Sequence, residues 1–508
     1  MTDNQIPQGW TKATIGDLIS SDGVFIDGDW VESKDQDPNG DVRLIQLADI
    51  GDGQYLNRSS RFLTSEKAGK LRCTFMQPGD VLIARMPDPL GRTCIFPGDP
   101  RICVTVVDVC IVRSGTGGVN QRWLMYTVNS PEFRLAISEL QSGSTRKRIS
   151  RGNLATLFLP VPPLPEQHRI VEEIEKQFSR LDEAVANLKR VQANLKRYRA
   201  SVLQAACEGR LVPTEAELAQ NEGRDYEPAD QLLQRILIER RRKWEENELA
   251  KMREKGKEPK DDNWKLRYKE PVAPDMSELP RLPNGWCWAQ LSTIADVRLG
   301  KMLSPKAQEA GLIRLPYLRN ENIRWGHIEF HDLKEMGFKE SEIDRYQVQC
   351  GDLLVCEGGE PGRCAVYQGV GDQLMYQKAL HRIRTYGAIV APSLVQFCFQ
   401  HYVSAKIVVP RASQTTIQHL PLEKIVVLPM PIPPKAEQER LVSEVERRLS
   451  VIEQMESAVE MSLKRADRLR QAILKRAFEG KLVPQDPDDE PAGVLLERTR
   501  VTEGCRDA

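Results

Sequence analysis

The stretch LPVPPLPEQHRIVEEI at residues 159–174 decides how this chain folds, because it occurs twice. The second copy, MPIPPKAEQERLVSEV, lies at residues 430–445, which is 271 positions further along the chain. The segments RASVLQAACEGRLVP at 199–213 and RQAILKRAFEGKLVP at 470–484 have the same separation. A constant separation through two long segments indicates a tandem duplication, in which packed elements keep their length while loops accept insertions.

Each copy of the stretch leads into a long predicted helix. Pro162-Pro163 and Pro433-Pro434 block helix just before it, and glycine and proline end it at Gly209 and Gly480. In between, apolar residues recur at alternating steps of four and three, which is typical of a coiled coil. In the first copy these are Ile174, Phe178, Leu181, Val185, Leu188, Val191, Leu195, Tyr198 and Val202. In the second they are Val445, Leu449, Ile452, Met455, Val459, Leu463, Ala466, Leu469 and Ile473.

We expect these two helices, each about 60 Å long, to pair with one another. The alternative is that each packs only on its own domain. Pairing can be parallel or antiparallel, and the antiparallel form would relate two globular domains by a pseudo-twofold axis.

Shorter pairs of similar segments occur elsewhere in the chain and indicate where its parts begin and end. IPQGW at 6–10 faces LPNGW at 282–286, and EPADQLLQRI at 227–236 faces EPAGVLLERT at 490–499. The predicted organisation is a first globular domain (1–160), a long helix (161–212), a central region with a linker (213–280), a second globular domain (281–431), a second long helix (432–483) and a tail (484–508).

The globular parts are predicted to be mixed α/β. Short apolar runs between Gly, Pro and Asp predict strands at 43–50, 79–85, 104–112 and 351–358. Residues 130–140 and 392–407 are predicted to be helical. The charge-rich stretch 239–270 predicts an exposed helix that runs into a flexible linker, and its charges are interpreted as a solvated face rather than a DNA contact.

Composition narrows the class of protein. The 508 residues carry 72 basic and 72 acidic side chains, so a nonspecific nucleic-acid coating protein is disfavoured, while binding through local basic loops stays open. Eleven cysteines without a CxxC pair predict free thiols in a reducing cytoplasm. The amino terminus lacks the pattern of a signal peptide, and no apolar run is long enough for a membrane span.

No catalytic constellation is found. There is no GxxxxGK[ST] loop, no Asn/Asp-Pro-Pro-Tyr/Phe tetrapeptide, no GxGxxG and no HExxH. His327 and His331 are four residues apart, but Gly326 and the intervening strand-like residues disfavour a helical metal pair. A stand-alone enzyme is therefore disfavoured, and neither catalytic nor metal-binding residues are assigned.

The candidate DNA-binding residues lie mainly in two matching loops. SGSTRKRISRGN at 142–153 has four cations and no acid, whereas RASQTTIQHLP at 411–421 has Gln, Thr and His instead. Backbone N–H groups and arginines in such loops bind phosphates and guanine edges, although an ordinary basic surface loop is an open alternative. The predicted contacts in these loops are Ser144, Thr145, Arg146, Lys147, Arg148, Arg151, Gln414, Thr415, Thr416, Gln418 and His419. Further candidates outside the loops are Arg85, Arg92, Arg363 and Lys378.

The chain resembles the specificity subunit of Type I restriction-modification systems. The resemblance is carried by the IPQGW and LPNGW openings, by PLPEQHRIV at 163–171 and PKAEQERLV at 434–442, and by EGRLVP at 208–213 and EGKLVP at 479–484. It implies two target recognition domains separated by an antiparallel coiled coil, each domain reading one half of a bipartite site in double-stranded DNA.

The resemblance also implies partners. Two modification subunits would carry S-adenosylmethionine and the adenine methyltransfer, and two restriction subunits would carry ATP- and magnesium-dependent translocation and cleavage, so that no cofactor is expected on this chain. The repeated tails at 214–244 and 485–500 would be docking surfaces for the modification subunits. The alternative from another class is a structural coiled-coil adaptor without DNA specificity.

Overall fold

A computed structural model describes residues 6–86, 89–143, 146–254, 256, 258–259, 261–277, 279–303, 312–370, 373–408 and 419–501. The chain forms two compact units. Unit 1 comprises Met1–Arg190 and Val459–Ala508, and unit 2 comprises Val191–Ala458. Each unit therefore combines one globular domain with a part of each long helix. Among the described residues, every helix is too short or too polar to cross a membrane.

The globular domain of unit 1 is a mixed α/β structure. Its elements are β1 (Thr11–Thr14), β2 (Val24–Asp27), β3 (Val42–Ile45), β4 (Arg61–Leu63), α1 (Ser65–Lys70), β5 (Val81–Ala84), β6 (Thr93–Ile95), β7 (Ile102–Thr105), β8 (Val109–Arg113), α2 (Gln121–Val128), α3 (Pro131–Glu139), α4 (Arg151–Ala155) and β9 (Phe158–Val161). They form sheets of order β2-β8-β5-β6, β4-β3-β7 and β1-β9. Only the β3–β7 pair among these is parallel.

The first long helix and the central region follow. The helices are α5 (Leu164–Cys207), α6 (Glu215–Glu222) and α7 (Ala229–Glu254). The domain of unit 2 then comprises β10 (Cys287–Gln290), α8 (Leu291–Ile294), β11 (Ala295–Leu299), β12 (Ile313–Leu318), β13 (Lys334–Phe338), α9 (Glu340–Tyr346), β14 (Leu353–Cys356), β15 (Cys364–Val366), β16 (Met375–Tyr376), β17 (Leu380–Thr385), α10 (Pro392–Ser404), α11 (Leu422–Ile425) and β18 (Pro429–Ile432). The chain continues into α12 (Lys435–Phe478) and α13 (Ala492–Val501).

The second domain repeats the sheet order of the first. Its sheets are β11-β17-β14-β15, β13-β12-β16 and β10-β18, and β12–β16 is again the parallel pair. The internal repeat is therefore a repeat of fold, as the sequence predicts. Two local predictions are wrong. Residues 43–50 are not one strand, because β3 ends at Ile45 and a 3-10 helix covers Leu47–Asp49. Residues 104–112 are not one strand either, because β7 and β8 are separated by a turn in which Val109 N–H donates to the Val106 carbonyl over 3.0 Å. Asp108 in the middle of that run favours a turn, which the apolar periodicity conceals.

The two long helices pair in antiparallel fashion in each unit. In unit 1 the guanidinium of Arg470 lies 4.4 Å from the ring centre of Phe178 and pairs with Asp182. In unit 2 Arg199 pairs with Glu456 over 3.0 Å and with Glu453 over 3.7 Å. As the residue number rises along α5 it falls along α12, so the predicted pairing of the helices with one another is confirmed.

The apolar stripe of the helix pair is only partly covered. Leu195, Val202 and Ile452 are buried, but Tyr198, Met455 and Leu469 remain 46%, 47% and 49% exposed. Two helices cover less apolar surface than a three- or four-helix arrangement would. The uncovered positions therefore leave room for further contacts along the pair.

The two repeated tails pack against the globular domains. In unit 1 the N–H of Ala492 donates to the carbonyl of Gly9 over 2.9 Å, and in unit 2 the N–H of Ala229 donates to the carbonyl of Gly285 over 2.8 Å. Leu232 and Leu496 are buried. The apolar face of each tail is thus used within its own unit, so that any docking surface on it would be the polar face.

Candidate nucleic-acid interface

Three loop segments meet at one edge of the first domain, which we call the loop edge. The N–H of Arg85, just after β5, donates to the carbonyl of Asp108 over 2.8 Å. The N–H of Ile149 donates to the carbonyl of Arg85 over 3.1 Å. The basic loop is thereby attached to the strand end and to the β7–β8 turn.

The second domain builds its loop edge with equivalent hydrogen bonds. The N–H of Glu357 donates to the carbonyl of Ala379 over 2.9 Å, and the N–H of Leu420 donates to the carbonyl of Glu357 over 2.7 Å. Glu357 and Leu420 occupy the places of Arg85 and Ile149, since 78–85 aligns with 350–357. The two domains therefore share a backbone frame and differ in the side chains that it carries.

Different side chains hold the two loops in place. In the first domain the guanidinium of Arg85 donates to the carbonyls of Ile149 and Val107 over 3.2 and 2.5 Å and lies 3.1 Å from Asp27. In the second domain Nε2 of the buried His381 bonds the carbonyl of Leu420 over 2.8 Å. Burial lowers the pKa of His381, which keeps the imidazole neutral and suits donation from Nε2–H to a carbonyl.

The position of Arg85 changes how its predicted contact with DNA is interpreted. Its side chain is only 13% exposed, and its donors are directed at protein carbonyls and at Asp27. These contacts fit a residue that positions the basic loop better than one that touches bases.

The basic loop itself is exposed. Arg146, Lys147 and Arg148 all face solvent, and no ion pair of Arg146 or Arg148 is found with the residues that the structure describes. Ser142 and Arg148 exchange backbone hydrogen bonds of 2.8 and 2.9 Å, so a short bridge closes the base of the loop. Arg151 donates to the carbonyl of Phe25 over 3.0 Å and stays 45% exposed. Ser144 and Thr145 lie outside the described residues.

The other predicted contacts are distributed unevenly. Gln414, Thr415, Thr416 and Gln418 lie outside the described residues, whereas His419 is exposed and forms a backbone bridge with Gly358. Lys378 is exposed in the turn before β17, next to Ala379 of the loop edge. The structure thus brings Lys378 and His419 to the loop edge of the second domain.

Arg92 and Arg363 lie away from open solvent. Arg363 is 17% exposed and donates to Glu360 over 3.0 Å and to the carbonyl of Asn320 over 2.9 Å. Arg92 is half-buried near Arg134, and its Nε has no hydrogen-bond partner among the described residues. As DNA contacts both remain predictions, and the surroundings of Arg363 favour a structural role.

Two exposed apolar side chains at the loop edges were missed by the sequence prediction. Asp29 bridges Val106 and Lys301 bridges Gln377, so the residues that follow, Trp30 and Met302, occupy equivalent places. Trp30 is 68% and Met302 58% exposed. The exposure of a tryptophan cannot be predicted from the sequence alone, because most tryptophans are largely buried.

The two domains and their helix pair define a class of protein: a tandem repeat of α/β domains that present equivalent loop edges with different side chains. Residues 7–196 match the family model of the Type I restriction modification DNA specificity domain. The chain is 26% identical over 397 residues to the Type I restriction enzyme EcoKI specificity subunit of Escherichia coli K12, which covers 74% of this chain and 71% of that protein. It is 24% identical over 403 residues to the EcoBI specificity subunit of Escherichia coli, covering 77% and 74%.

Solved structures agree with these relatives in fold. A chain of a type I R-M system, solved in work on its complex assembly and conformational transition, has a TM-score of 0.66 at 15% identity and covers 94% of this chain and 99% of its own. The HsdS subunit of Thermoanaerobacter tengcongensis has a TM-score of 0.52 at 15% identity and covers 94% and 98%. The family model and the relatives confirm the resemblance to Type I specificity subunits, and the solved structures confirm the predicted fold class.

Proposed function

We propose that this chain is the non-catalytic subunit that gives a Type I restriction-modification complex its DNA specificity. Each globular domain reads one half of a bipartite duplex target, and partner subunits carry out methylation and cleavage. The observation that carries the proposal is the repeated loop edge, whose hydrogen-bonded frame is kept while its exposed side chains differ.

The side chains at the two edges suit two different half-sites. Arg146 and Arg148 offer guanidinium groups that bind phosphates or guanine bidentately. Lys378 and His419, at the edge of the second domain, offer an ammonium group and an imidazole instead. A dimer of identical domains would read a palindrome, whereas two unlike domains in one chain read two unlike half-sites.

The chemistry is assigned to partners. We propose two modification subunits that bind S-adenosylmethionine and two restriction subunits that use ATP and magnesium, acting in the cytoplasm. The uncovered apolar positions Tyr198, Met455 and Leu469 on the helix pair support docking of partner helices there. The paired helices would then set the length of the unread spacer between the half-sites.

The proposal is tested by exchanging domains and mapping methylated adenines. Residues 1–160 are replaced by the corresponding domain of a relative with a different target, and the chimera is expressed with its modification subunit. Methylation should move to a hybrid site that combines the relative's first half-site with the parent's second one. A matched chimera that exchanges only 161–212 should keep the parental half-sites. Unchanged sites in the domain chimera would favour the adaptor, and methylation by the purified chain alone would contradict a non-catalytic role.

A further inference from the structure

The charge-rich central region forms one wall of a cleft in unit 2, which we call the α7 cleft. Its volume is about 630 Å³, and it is lined by α7, by the segment 267–269 and by the ends of β11 and β17. Seven of the lining side chains are cationic and two are acidic. The sequence alone favours a solvated face here, because it does not show that Arg298 and Arg384 of the globular domain face the same cleft.

An aromatic cluster holds the segment after α7 in place. The rings of Trp244 and Trp264 stack with centres 5.9 Å apart, and the ring of Tyr268 lies 5.3 Å from that of Trp244. Trp264 is buried. This segment is therefore packed against α7 rather than being the flexible linker that the sequence predicts, and it holds Arg267 and Lys269 at the cleft.

The cations of the cleft are only partly neutralised. Arg384 is paired with Asp352 over 2.6 Å, and Arg298 with Asp296 over 2.8 Å. By contrast, Arg240, Arg267 and Lys269 have no ion pair among the residues that the structure describes. The Nη1 atom of Arg240 is buried and makes no hydrogen bond with them. Several donors at the cleft thus lack an anionic partner.

We propose that the α7 cleft binds the phosphate backbone of DNA independently of sequence, a second contact that goes beyond half-site reading. Seven cations around one cleft, three of them without an ion pair among the described residues, suit a row of backbone phosphates, and the half-buried rings of Trp244 and Tyr386 line the same cleft.

The cleft is separate from the loop edge of the same domain. Leu380, at the start of β17, pairs with Cys356 beside the loop edge, whereas Thr385 at the end of β17 lines the cleft. Five residue steps along a strand span about 17 Å. The cleft would therefore contact phosphates outside the bases read at the loop edge.

The test removes two unpaired charges. The purified full-length chain with Arg267→Gln and Lys269→Gln is compared with a control carrying Arg253→Gln and Lys334→Gln, which are exposed residues outside the cleft. Binding of a labelled 40-base-pair duplex of random sequence is measured between 0.05 and 0.3 M NaCl. Removing two phosphate contacts should lower the salt slope by about 2 and the affinity at 0.1 M salt by about tenfold, while the control stays close to the parent.

Two outcomes would overturn the proposal. One is a cleft variant that binds the random duplex with the affinity and salt slope of the control. The other is unchanged duplex binding with weaker association to the modification subunit, which would assign the cleft to an acidic protein surface. The preference for target over random duplex should not change in the cleft variant. A parent chain that binds target and random duplex equally well would contradict the proposed function. It would not affect the conclusion about the cleft.

Discussion

The indole N–H of Trp10 donates a 2.8 Å hydrogen bond to Glu166, a buried carboxylate 156 positions further along the chain. The second half of the chain has the equivalent hydrogen bond, which the indole N–H of Trp286 donates to Glu437 over 2.9 Å. Each tryptophan comes from the opening of a domain and each glutamate from the first turn of a long helix. The pair therefore ties a domain to its helix, which explains why the GW openings and the EQ dipeptides are the parts of the sequence that the repeat retains.

The two copies of this bond should respond differently to the same substitution. Glu437 accepts a second hydrogen bond, from the N–H of Glu215 over 2.9 Å, whereas Oε1 of Glu166 has no partner among the described residues. Glutamine in place of Glu437 would direct an amide N–H₂ at one of two donors. We expect Glu437→Gln to lower the free energy of unfolding by about 1–3 kcal/mol, and Glu166→Gln to lower it by less. Hydrogen exchange at residues 435–445 and 164–174 measures the two effects separately, and equal losses of protection would contradict this account.

Much of the fold was predictable because the duplication makes each sequence pattern occur twice. The constant separation and the apolar stripe predict the paired helices, and the loop between Ser142 and Ile149 is predicted as a basic surface. The role of Arg85 was not predictable, since its carbonyl partner lies 64 positions away and a cation at a strand end resembles a solvent-facing one. The packing of each tail into a domain was missed for the same reason, as the bond from Ala492 to Gly9 joins opposite ends of the chain.

The loop edge of the second domain should loosen in mild acid. His381 has a pKa below its ordinary value of 6.5 because it is buried, so the folded domain prefers the neutral imidazole. The resulting stability is present above pH 6.5 and is lost as pH falls below it. Hydrogen exchange at Leu420 should therefore speed up between pH 7 and pH 5, after correction for the intrinsic pH dependence of exchange. In a His381→Gln variant the corrected rate should not depend on pH in this range, and a parental pH dependence there would exclude His381 as the cause.

Arg85 should affect DNA binding without changing its salt dependence. Arg85→Gln removes the guanidinium donors to the carbonyls of Ile149 and Val107, and two partly buried carbonyls are then left without a charged partner. We expect about a tenfold loss of affinity for the target duplex with a salt slope within about 0.5 of the parental one. A slope that falls by about 1 would instead show that Arg85 contacts a phosphate.

The exposed basic loop should behave in the opposite way. Arg146→Gln, Lys147→Gln and Arg148→Gln together should lower both affinity and salt slope, the slope by about 1 for each phosphate that the loop no longer binds. The control is a triple glutamine variant at the exposed residues Arg180, Lys189 and Arg190 of α5, which removes the same charge elsewhere. Equal slopes for the loop variant and the parent would exclude the loop from the DNA interface.

The helix pair should tolerate shortening only when both helices are shortened together. Asp182 and Arg470 pair in unit 1, and their equivalents 271 positions away, Glu453 and Arg199, pair in unit 2. Deleting 187–193 together with 458–464 removes equivalent heptads and keeps both ion pairs in register. The pair becomes about 10 Å shorter, so the spacer between methylated half-sites should shorten by about 3 base pairs.

Deleting 187–193 alone is the matched control, since it removes the same length from one helix only. With unequal helices, only one of the two ion pairs can form: either Asp182 with Arg470 or Arg199 with Glu453. This variant should lose helical content and site-specific methylation. A single deletion that methylates normally, or a double deletion that keeps the parental spacer, would contradict the role of the helices in setting the spacing.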